Sequence, residues 1–427
     1  MVKIDIPSIK QTLASDTGFL LVTTGTGYGF SYLYLLIMGR FLGPEAFGIL
    51  GALFAIFYIA ALVGQALRQA IATNIAAIRA KYGEPAAVST FVKLGIKLSL
   101  LCLLPTLVFI IAAGPISSFF HLTSTGPVII LAFSLFTALI LDVVLGLQQG
   151  LQKFRRLGIT GYTTTQGLKL VLGVVFVWTG WGLMGAVGAL LASTAIATLV
   201  GLALAREQLA RAHNQNQVHH HLKVVPVLLP TLILAVFLAM PASVDVMLVT
   251  HFFGGKEAGL YNAVATVGKV VIFLPMAVSF ILLPKVTENH TLGQGTRDIL
   301  LRSLVLTLLL SGGVVMICWV FPDIIVLLFF GEAYIAAGAL ISLYATAMLL
   351  FSLNVVLMHY SLAIRNLRLM LLADMITLVE VVAIVLMHQS LTQIIWILLL
   401  GNLLILLVSL PVLILRRVRQ HEHGLEG

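Results

Sequence analysis

Charged residues are scarce in this sequence. Asp, Glu, Lys and Arg make up only 10% of its 427 residues, whereas a soluble globular protein has about 25%. Hydrophobic residues make up 60% of the chain, and the mean hydropathy is +1.09. This composition excludes a soluble globular protein and predicts an all-α integral membrane protein that crosses the bilayer many times.

Several signatures of other protein classes are also missing. The two cysteines, Cys102 and Cys318, are too few for a disulfide framework and lack metal-ligand spacing. The histidine run at 219–221 has no second cluster at zinc-type spacing, so we expect no metal and no cofactor. A GxxxxGK[ST] pattern is absent, and so is the apolar core of a cleaved secretory leader. We therefore expect no ATP-driven pump and no cleaved N-terminal signal.

Long apolar runs dominate what is present. A helix needs about 20 apolar residues to cross the hydrocarbon, and twelve stretches meet this requirement. The predicted spans are 17–39, 46–67, 92–113, 127–147, 159–179, 183–204, 227–251, 258–283, 303–321, 337–360, 370–388 and 394–415.

Basic residues are distributed unevenly between alternate loops. If both termini lie on one side of the membrane, 21 of the 25 Lys and Arg residues fall on that side. The exceptions are Arg40 and Lys256, in outer loops, and Lys169 and Lys269, within spans. The positive-inside rule therefore predicts a multi-pass protein of the cytoplasmic membrane with both termini in the cytoplasm. The asymmetry explains the net charge of +9 without a nucleic-acid partner, and the basic C-terminal tail is expected to contact anionic membrane lipids.

An internal repeat divides the chain. GRFLGPEAFGIL after the first span and THFFGGKEAGLY after the seventh align without gaps. The matched pairs are Phe41 with Phe252, Gly43 with Gly254, and Gly48 with Gly259. This predicts two pseudo-symmetric six-helix bundles, 1–204 and 227–427, joined by a cytoplasmic linker at 205–226, with glycines that allow a tight turn at positive φ.

The same motifs resemble a known family. RFLGPEAFGIL, FFGGKEAGLYNAV and LLPKVTE are similar to signatures of the polysaccharide (O-antigen type) flippases. These belong to the superfamily of multidrug, oligosaccharidyl-lipid and polysaccharide exporters. The resemblance implies two helical bundles around a central cavity, and movement of a lipid-linked glycan from the inner to the outer leaflet. It also implies polysaccharide-assembly proteins as further partners.

Three predicted spans carry polar stripes that are unsuited to face lipid. Asn262 and Thr266 precede Lys269 by seven and three residues, and Gln166 precedes Lys169 by three. The first span carries Thr17, Thr24, Tyr28 and Ser31 at spacings of seven, four and three. Because these spacings place side chains on one helical face, we expect the stripes to line a water-filled space. The predicted substrate-binding residues are Lys269, Lys169, Thr266, Asn262, Gln166, Tyr28, Arg40 and Arg68.

Buried acids leave a second interpretation open. Either lysine could instead be neutralised in a packed interior pair by Asp245, Asp142, Asp374 or Glu380. Asp245 and Glu380 lie deepest and are predicted as a counter-ion or coupling-ion site.

Glycine and proline mark candidate hinges. Gly25, Gly27 and Gly29 fall within one stretch of the first span, and Pro275 follows Lys269 in the eighth. They predict bending points for a gate, although small residues in membrane helices also serve close packing.

Three functions remain open from the sequence alone. A secondary flippase for a polyprenyl pyrophosphate glycan is favoured, because the predicted polar faces carry lysines suited to a phosphate. A multidrug or organic-cation antiporter of the same superfamily should instead present carboxylates to its cargo. A membrane-embedded glycosyltransferase is disfavoured because no large loop carries paired acids, so we expect no enzyme activity.

Overall fold

The computed structural model describes residues 16–213, 243–272 and 294–415, together with a few positions between 233 and 292. Throughout these residues the regular structure is helical, and none of them forms a strand. The prediction of an all-α fold is therefore confirmed. The histidine run 219–221, Pro275, most of the predicted linker and parts of the spans 227–251 and 258–283 lie outside the described residues.

Contacts between helices divide the chain into two units. Unit 1 consists of Met1–Leu42 and Ala60–Leu229, and unit 2 of Gly43–Ile59 and Pro230–Gly427. The segment Gly43–Ile59 thus packs with the C-terminal residues. The predicted domain boundaries stay a prediction, because the chain around the linker is not described.

Unit 1 is built largely from the N-terminal helices. Helix α1 runs through 67 residues and crosses from unit 1 into unit 2 and back. The helices are α1 (Asp16–Tyr82), α2 (Glu84–Leu101), α3 (Leu103–Ile111), α4 (Ala113–Phe119), α5 (Gly126–Gly150), α6 (Phe154–Gly158), α7 (Thr165–Phe176) and α8 (Gly182–His213). A π-helical turn, Ile159–Thr164, joins α6 to α7.

Unit 2 contains the remaining helices. Within the described residues they are α9 (Asp245–Phe252), α10 (Gly255–Gly268), α11 (Arg297–Val320), α12 (Pro322–Phe329), α13 (Gly338–Ala363), α14 (Leu367–Leu386) and α15 (Leu391–Leu415). A 3-10 turn, Glu332–Ala337, leads into α13.

Eight helical stretches of the described chain are long and apolar enough to cross a membrane. Two of them, Gly18–Tyr82 with 65 residues and Phe154–Ala210 with 57, are each long enough for two spans, since about 20 residues suffice for one. The first is interrupted at Gly43 and the second at Gly180. These breaks separate the predicted spans 17–39 from 46–67 and 159–179 from 183–204.

The break in α1 follows from its Gly-Pro sequence. Gly43 adopts φ 74° and ψ 172°, a conformation open to glycine at little cost. Pro44 then occupies the first position of the continuing helix, where its missing N–H is harmless. We call 16–42 the first arm of α1 and 44–82 the second arm. The repeat partner Gly254 has φ 61°, so the predicted positive φ is confirmed at both glycines.

The two repeat motifs pack against each other inside unit 2. A Cβ added to Gly48 would lie 2.6 Å from the backbone nitrogen of Gly259, and one added to Gly259 would overlap the carbonyl group of Pro44. At the same repeat offset Gly51 corresponds to Asn262, and these two also touch. Matched residues therefore contact their own counterparts, as at a two-fold interface. This pattern supports an origin of the chain by duplication.

We predict that this contact tolerates no added methyl group. Gly259→Ala should destabilise the protein by about 1–3 kcal/mol, because the helix backbones must separate to admit a Cβ. The measurement is the apparent melting temperature in detergent, which should fall. Gly312→Ala is the matched control, since a Cβ there has no neighbour within 4 Å and gains about 1 kcal/mol of helix propensity. A Gly259→Ala protein that melts with or above the wild type contradicts the prediction.

Candidate functional site

Lys169 is held within unit 1 by uncharged groups. Its side chain, on α7, is only 2% exposed. The ammonium donates a hydrogen bond of 2.9 Å to Ser31 Oγ and lies 5.2 Å from the centroid of the Tyr34 ring. Tyr34 is fixed in turn, because its hydroxyl donates to the carbonyl oxygen of Ala186 at 2.8 Å. A cation over an aromatic face gains attraction without a counter-charge.

Glycines allow the first arm of α1 to pack closely against α7 and against the π-helical turn that precedes it. A Cβ on Gly27 would lie 2.9 Å from Tyr162 Cβ, and one on Gly173 would lie 2.5 Å from the Tyr34 ring. Gly27 therefore packs a helix interface. At Gly25 and Gly29 a Cβ would meet nothing within 4 Å in the described structure. The hinge role of the three glycines stays a prediction.

Lys169 has no acidic partner among the described residues. The carboxylate of Asp142 instead pairs with Arg68, whose Nη1 lies 3.5 Å from Asp142 Oδ1. Thus, Lys169 is a buried cation that only a hydroxyl and a ring accommodate. Placing a lysine at mid-membrane is costly, so an uncompensated one marks a candidate functional position.

The Arg68–Asp142 pair joins the second arm to α5. A Cβ on Gly64 would lie 2.5 Å from Asp142 Oδ2, so the second arm passes directly over this carboxylate. The pair is partly exposed, and Arg68 lies within electrostatic range of the Tyr28 and Tyr162 hydroxyls. The two tyrosine rings meet edge to face at 6.3 Å. Tyr28, Asp142 and Tyr162, from three predicted spans, thus form one polar cluster with Arg68 at the end of a fourth, which we call the Arg68 cluster.

Gln166, on α7, presents an unused hydrogen-bond acceptor. Its Oε1 is buried and has no hydrogen-bond partner within the described structure. A buried amide oxygen left unpaired costs about 1–3 kcal/mol, and such a cost in a native protein points to strain, to an unseen partner or to a functional role.

Unit 2 carries a buried acidic centre. Asp245, on α9, is 1% exposed, and its Oδ2 accepts hydrogen bonds from Tyr344 at 2.8 Å and Tyr261 at 3.1 Å. The two phenol rings lie 5.7 Å apart and nearly perpendicular. Asp245 Oδ1 has no partner in the described part of the chain. The carboxylate is therefore oriented by two hydroxyls and keeps one free acceptor.

Glu380 extends this centre on α14. It is 4% exposed, and neither carboxylate oxygen has a hydrogen-bond partner among the described residues. Gly401 of α15 makes room for it, because a Cβ there would lie 2.5 Å from Glu380 Oε2. Glu380 lies within electrostatic range of Asp245 and of both its tyrosines. Asp245 and Glu380, which were predicted as one counter-ion or coupling-ion site, thus lie near each other, and their role stays a prediction.

Lys269 lies close to the acidic centre without joining it. The half-buried side chain is within electrostatic range of Asp245 but does not reach ion-pair distance. Thr266 and Asn262 precede it on α10, but their polar groups already form hydrogen bonds within the protein. Thr266 Oγ1 donates to the Asn262 carbonyl at 2.7 Å, and Asn262 Nδ2 donates to the Phe47 carbonyl at 2.7 Å. Their substrate-binding role stays a prediction.

Three tyrosines of these sites, Tyr34, Tyr261 and Tyr344, are missing from the predicted site residues. Tyr34 follows Ser31 by three residues, so its helical spacing on the polar face of the first span was an available signal. Tyr344 gave no signal, because it lies in an otherwise apolar span far along the chain from Asp245.

Arg40 lies exposed near the end of the first arm. No group of three potential metal ligands occurs in the described residues.

Fold and family place this protein among the membrane transporters. A family model described as polysaccharide biosynthesis protein matches residues 13–290, more than half of the chain. The chain belongs to this family, which confirms membership of the superfamily of multidrug, oligosaccharidyl-lipid and polysaccharide exporters. It is a multi-pass membrane protein. A comparison of this sequence with curated proteins found no match.

Solved structures confirm a twelve-helix fold of two bundles. A multidrug resistance transporter of the MATE family, in an inward-facing conformation, has a TM-score of 0.75 and 16% identity over 93% of this chain and 96% of its own. The lipid II flippase MurJ has a TM-score of 0.65 and 12% identity over 91% and 87%. A transporter from Pyrococcus furiosus, described by a binding pocket of reverse polarity, has a TM-score of 0.55 and 17% identity over 92% and 93%.

We predict that the Glu380 carboxylate is kept at a cost to stability. Glu380→Met should raise the apparent melting temperature in detergent by removing unpaired buried polar atoms, and should impair transport. Glu288→Met, at an exposed position, should leave both quantities near the wild-type values. A Glu380→Met protein that is less stable yet transports normally contradicts a functional role for this carboxylate.

Proposed function

We propose that this protein is a flippase for a lipid-linked oligosaccharide carried on a polyprenyl pyrophosphate, moving it from the inner to the outer leaflet of the cytoplasmic membrane. The observation that carries the proposal is Lys169. Its ammonium lies within a membrane span of unit 1, has no carboxylate partner in the described structure and contacts only Ser31 and Tyr34. An anionic headgroup would supply the missing counter-charge.

The contacts of Lys169 suit a site that must release its cargo. A lysine binds phosphate as a point charge with rotatable donors, and less rigidly than the bidentate fork of an arginine. A hydrogen bond to one hydroxyl is readily exchanged for one to a phosphate oxygen. Tyr28 and Gln166 add a hydroxyl and an unpaired amide oxygen on the same two helices, and both suit sugar hydroxyls.

The acidic centre of unit 2 supplies a candidate for coupling. Asp245 and Glu380 keep unpaired carboxylate oxygens in a buried setting, where a proton or a small cation would stabilise them. The Tyr261 and Tyr344 hydroxyls hold Asp245 in place for such exchange. The membrane potential contributes as well, because an inside-negative potential favours outward movement of anions by about 2.3 kcal/mol per charge per 100 mV.

The same acids favour a second candidate, a multidrug or organic-cation antiporter. An organic cation entering this protein would find Asp245 and Glu380 as its counter-charges. The two candidates make opposite demands on unit 1, where a cationic cargo would be repelled by Lys169 and an anionic cargo attracted. Neither candidate requires enzyme activity.

We predict that removing either lysine slows glycan translocation. Lys169→Met and Lys269→Ala should each lower the rate about tenfold to a hundredfold, since a charge-assisted hydrogen bond is worth about 1.5–3 kcal/mol. The measurement is the appearance of a labelled polyprenyl-pyrophosphate oligosaccharide on the far leaflet of reconstituted vesicles. Ser31→Ala is the control, because it removes the neighbour of Lys169 and keeps the charge. Unchanged transport at normal expression would falsify the role of either lysine.

We predict that the cargo is anionic. Purified protein in vesicles should accelerate crossing of the labelled glycan lipid, faster with the receiving side positive, and should not move a fluorescent organic cation. Lys169→Glu tests the sign of the site, since it should abolish glycan movement. If the wild type moves the cation and not the glycan lipid, the antiporter is the correct reading.

A further inference from the structure

The eighth predicted span is interrupted at Lys269. Helix α10 ends at Gly268, Lys269 forms a turn, and residues 270–272 are helical again. The Ile272 N–H donates to the Lys269 carbonyl at 3.0 Å, a spacing of three residues instead of the four of an α-helix. Lys269 therefore lies at an interruption of the helical hydrogen bonds, which we call the Lys269 break.

The Val271 carbonyl, two residues beyond the break, lacks its α-helical donor. In an α-helix it would accept a hydrogen bond from the backbone N–H of residue 275. That residue is Pro275, which has no N–H. Because Val271 is 0% exposed and belongs to an apolar span, an unpaired carbonyl there would carry a large cost in free energy.

Two serines from other helices of unit 2 supply donors to this carbonyl. Ser311 Oγ of α11 donates to the Val271 carbonyl oxygen at 3.0 Å, and Ser352 Oγ of α13 donates to the same oxygen at 3.2 Å. Both serines are fully buried. A carbonyl oxygen has two lone pairs, so it accepts both hydroxyls at once. We call Ser311, Ser352 and the Val271 carbonyl the serine clamp.

Other serines on the same two helices form hydrogen bonds within their own helix. Ser303 of α11 and Ser361 of α13 each donate to the carbonyl four residues earlier, at 2.8 Å. This is a common arrangement for a serine inside a helix. Ser311 and Ser352 lie on separate helices and depart from it together, because both donate to the carbonyl that Pro275 leaves without a donor. This convergence indicates a shared role for the two serines.

The residue before Lys269 connects the break to the acidic centre of unit 2. Gly268 packs directly on the Tyr344 ring, because a Cβ at Gly268 would overlap that ring. Tyr344 donates its hydroxyl to Asp245, and Lys269 lies within electrostatic range of the same carboxylate. The break is thus held on both sides, by the Tyr344 ring at Gly268 and by the serine clamp at Val271.

We propose that Ser311 and Ser352 are positioning residues, which hold Lys269 in place for the headgroup of the cargo by binding the Val271 carbonyl. This inference rests on the proposed function, because that function gives Lys269 its contact with the cargo. The two hydroxyls act through the backbone, at a carbonyl two residues beyond the lysine. Without them, the segment after the break would adopt other backbone conformations that give this carbonyl a donor, and the ammonium would leave its position.

Cysteine labelling tests the position of residue 269 without any transport. Lys269→Cys should react with a water-soluble methanethiosulfonate, and both native cysteines are buried, so the protein with Lys269 intact gives the background rate. Adding Ser311→Ala and Ser352→Ala should raise the labelling rate about fivefold, a factor that corresponds to about 1 kcal/mol, or one net hydrogen bond. Ser303→Ala with Ser361→Ala is the matched control and should leave the rate unchanged. An equal effect of the control pair, or no labelling above background in any variant, would overturn the proposal.

Pro275→Ala tests whether the serines act on the carbonyl. An alanine at 275 supplies the N–H that proline lacks, so the Val271 carbonyl gains a donor within its own helix. In this background, Ser311→Ala and Ser352→Ala should change neither the labelling rate at 269 nor the melting temperature in detergent. With Pro275 present, the same two changes should lower the melting temperature by a few degrees. Equal effects in both backgrounds would mean that the serines only pack the helices, and the proposal would be wrong.

Transport measures whether the position of Lys269 matters. In the vesicle assay with the labelled glycan lipid, Ser311→Ala with Ser352→Ala should slow translocation about fivefold. In the Lys269→Ala protein the same pair should cause no further loss, because it acts through that lysine. An undiminished further loss would contradict this route.

The outcomes separate this proposal from the function on which it rests. If the wild type flips the glycan lipid and the paired serine variant does so at the wild-type rate, the positioning role is wrong and the flippase stands. If the wild type does not flip the glycan lipid, the flippase proposal fails. Labelling and melting then still decide whether the serine clamp holds residue 269.

Discussion

Hydrocarbon offers no hydrogen bonds, so every polar group inside a span must find its partner in the protein or remain unpaired at a cost in free energy. Most groups here find one: the Lys169 ammonium rests on Ser31 and Tyr34, and Asp245 Oδ2 receives two tyrosine hydroxyls. The exceptions in the described structure are ten buried side-chain atoms, among them Gln166 Oε1, Asp245 Oδ1 and both carboxylate oxygens of Glu380. Under such a constraint, unpaired atoms mark the places where a mobile partner is expected.

The two units solve this constraint with opposite charges. Among the described residues, the Lys169 ammonium of unit 1 has no carboxylate partner, and the Asp245 and Glu380 carboxylates of unit 2 form no ion pair. A protein that moves one anion against or alongside a cation needs both kinds of incomplete site. The hydroxyl groups that already hydrogen-bond these charges would also limit the affinity for a cargo, because the cargo must compete with them. A charge without any hydrogen-bond partner would bind its cargo more tightly and release it more slowly.

Sequence patterns captured what is local and periodic. Hydropathy located the spans, and the Gly-Pro and Gly-Gly motifs indicated the positive φ of Gly43 and Gly254. The first and fifth spans each carry a predicted polar face, and Ser31 and Lys169 from these two faces are hydrogen-bonded to each other in the structure. The water-filled space that the polar faces predict stays a prediction. What failed is pairing over long sequence separation: Tyr344 lies far along the chain from Asp245, and helical spacing within one span carries no information on the neighbouring span.

The repeat glycines show how the duplication and the packing constrain each other. Gly48 and Gly259 correspond in the repeat and also touch, so one contact requires a small residue at both copies simultaneously. A side chain at either position would separate the same two backbones. The next matched pair along the repeat, Gly51 and Asn262, also touches but requires a small residue at only one copy. The Asn262 amide instead donates to the Phe47 carbonyl. The contact between Gly48 and Gly259 thus requires the two motifs to stay alike. The buried charged residues of the two units, Lys169 in one and Asp245 and Glu380 in the other, instead differ in sign.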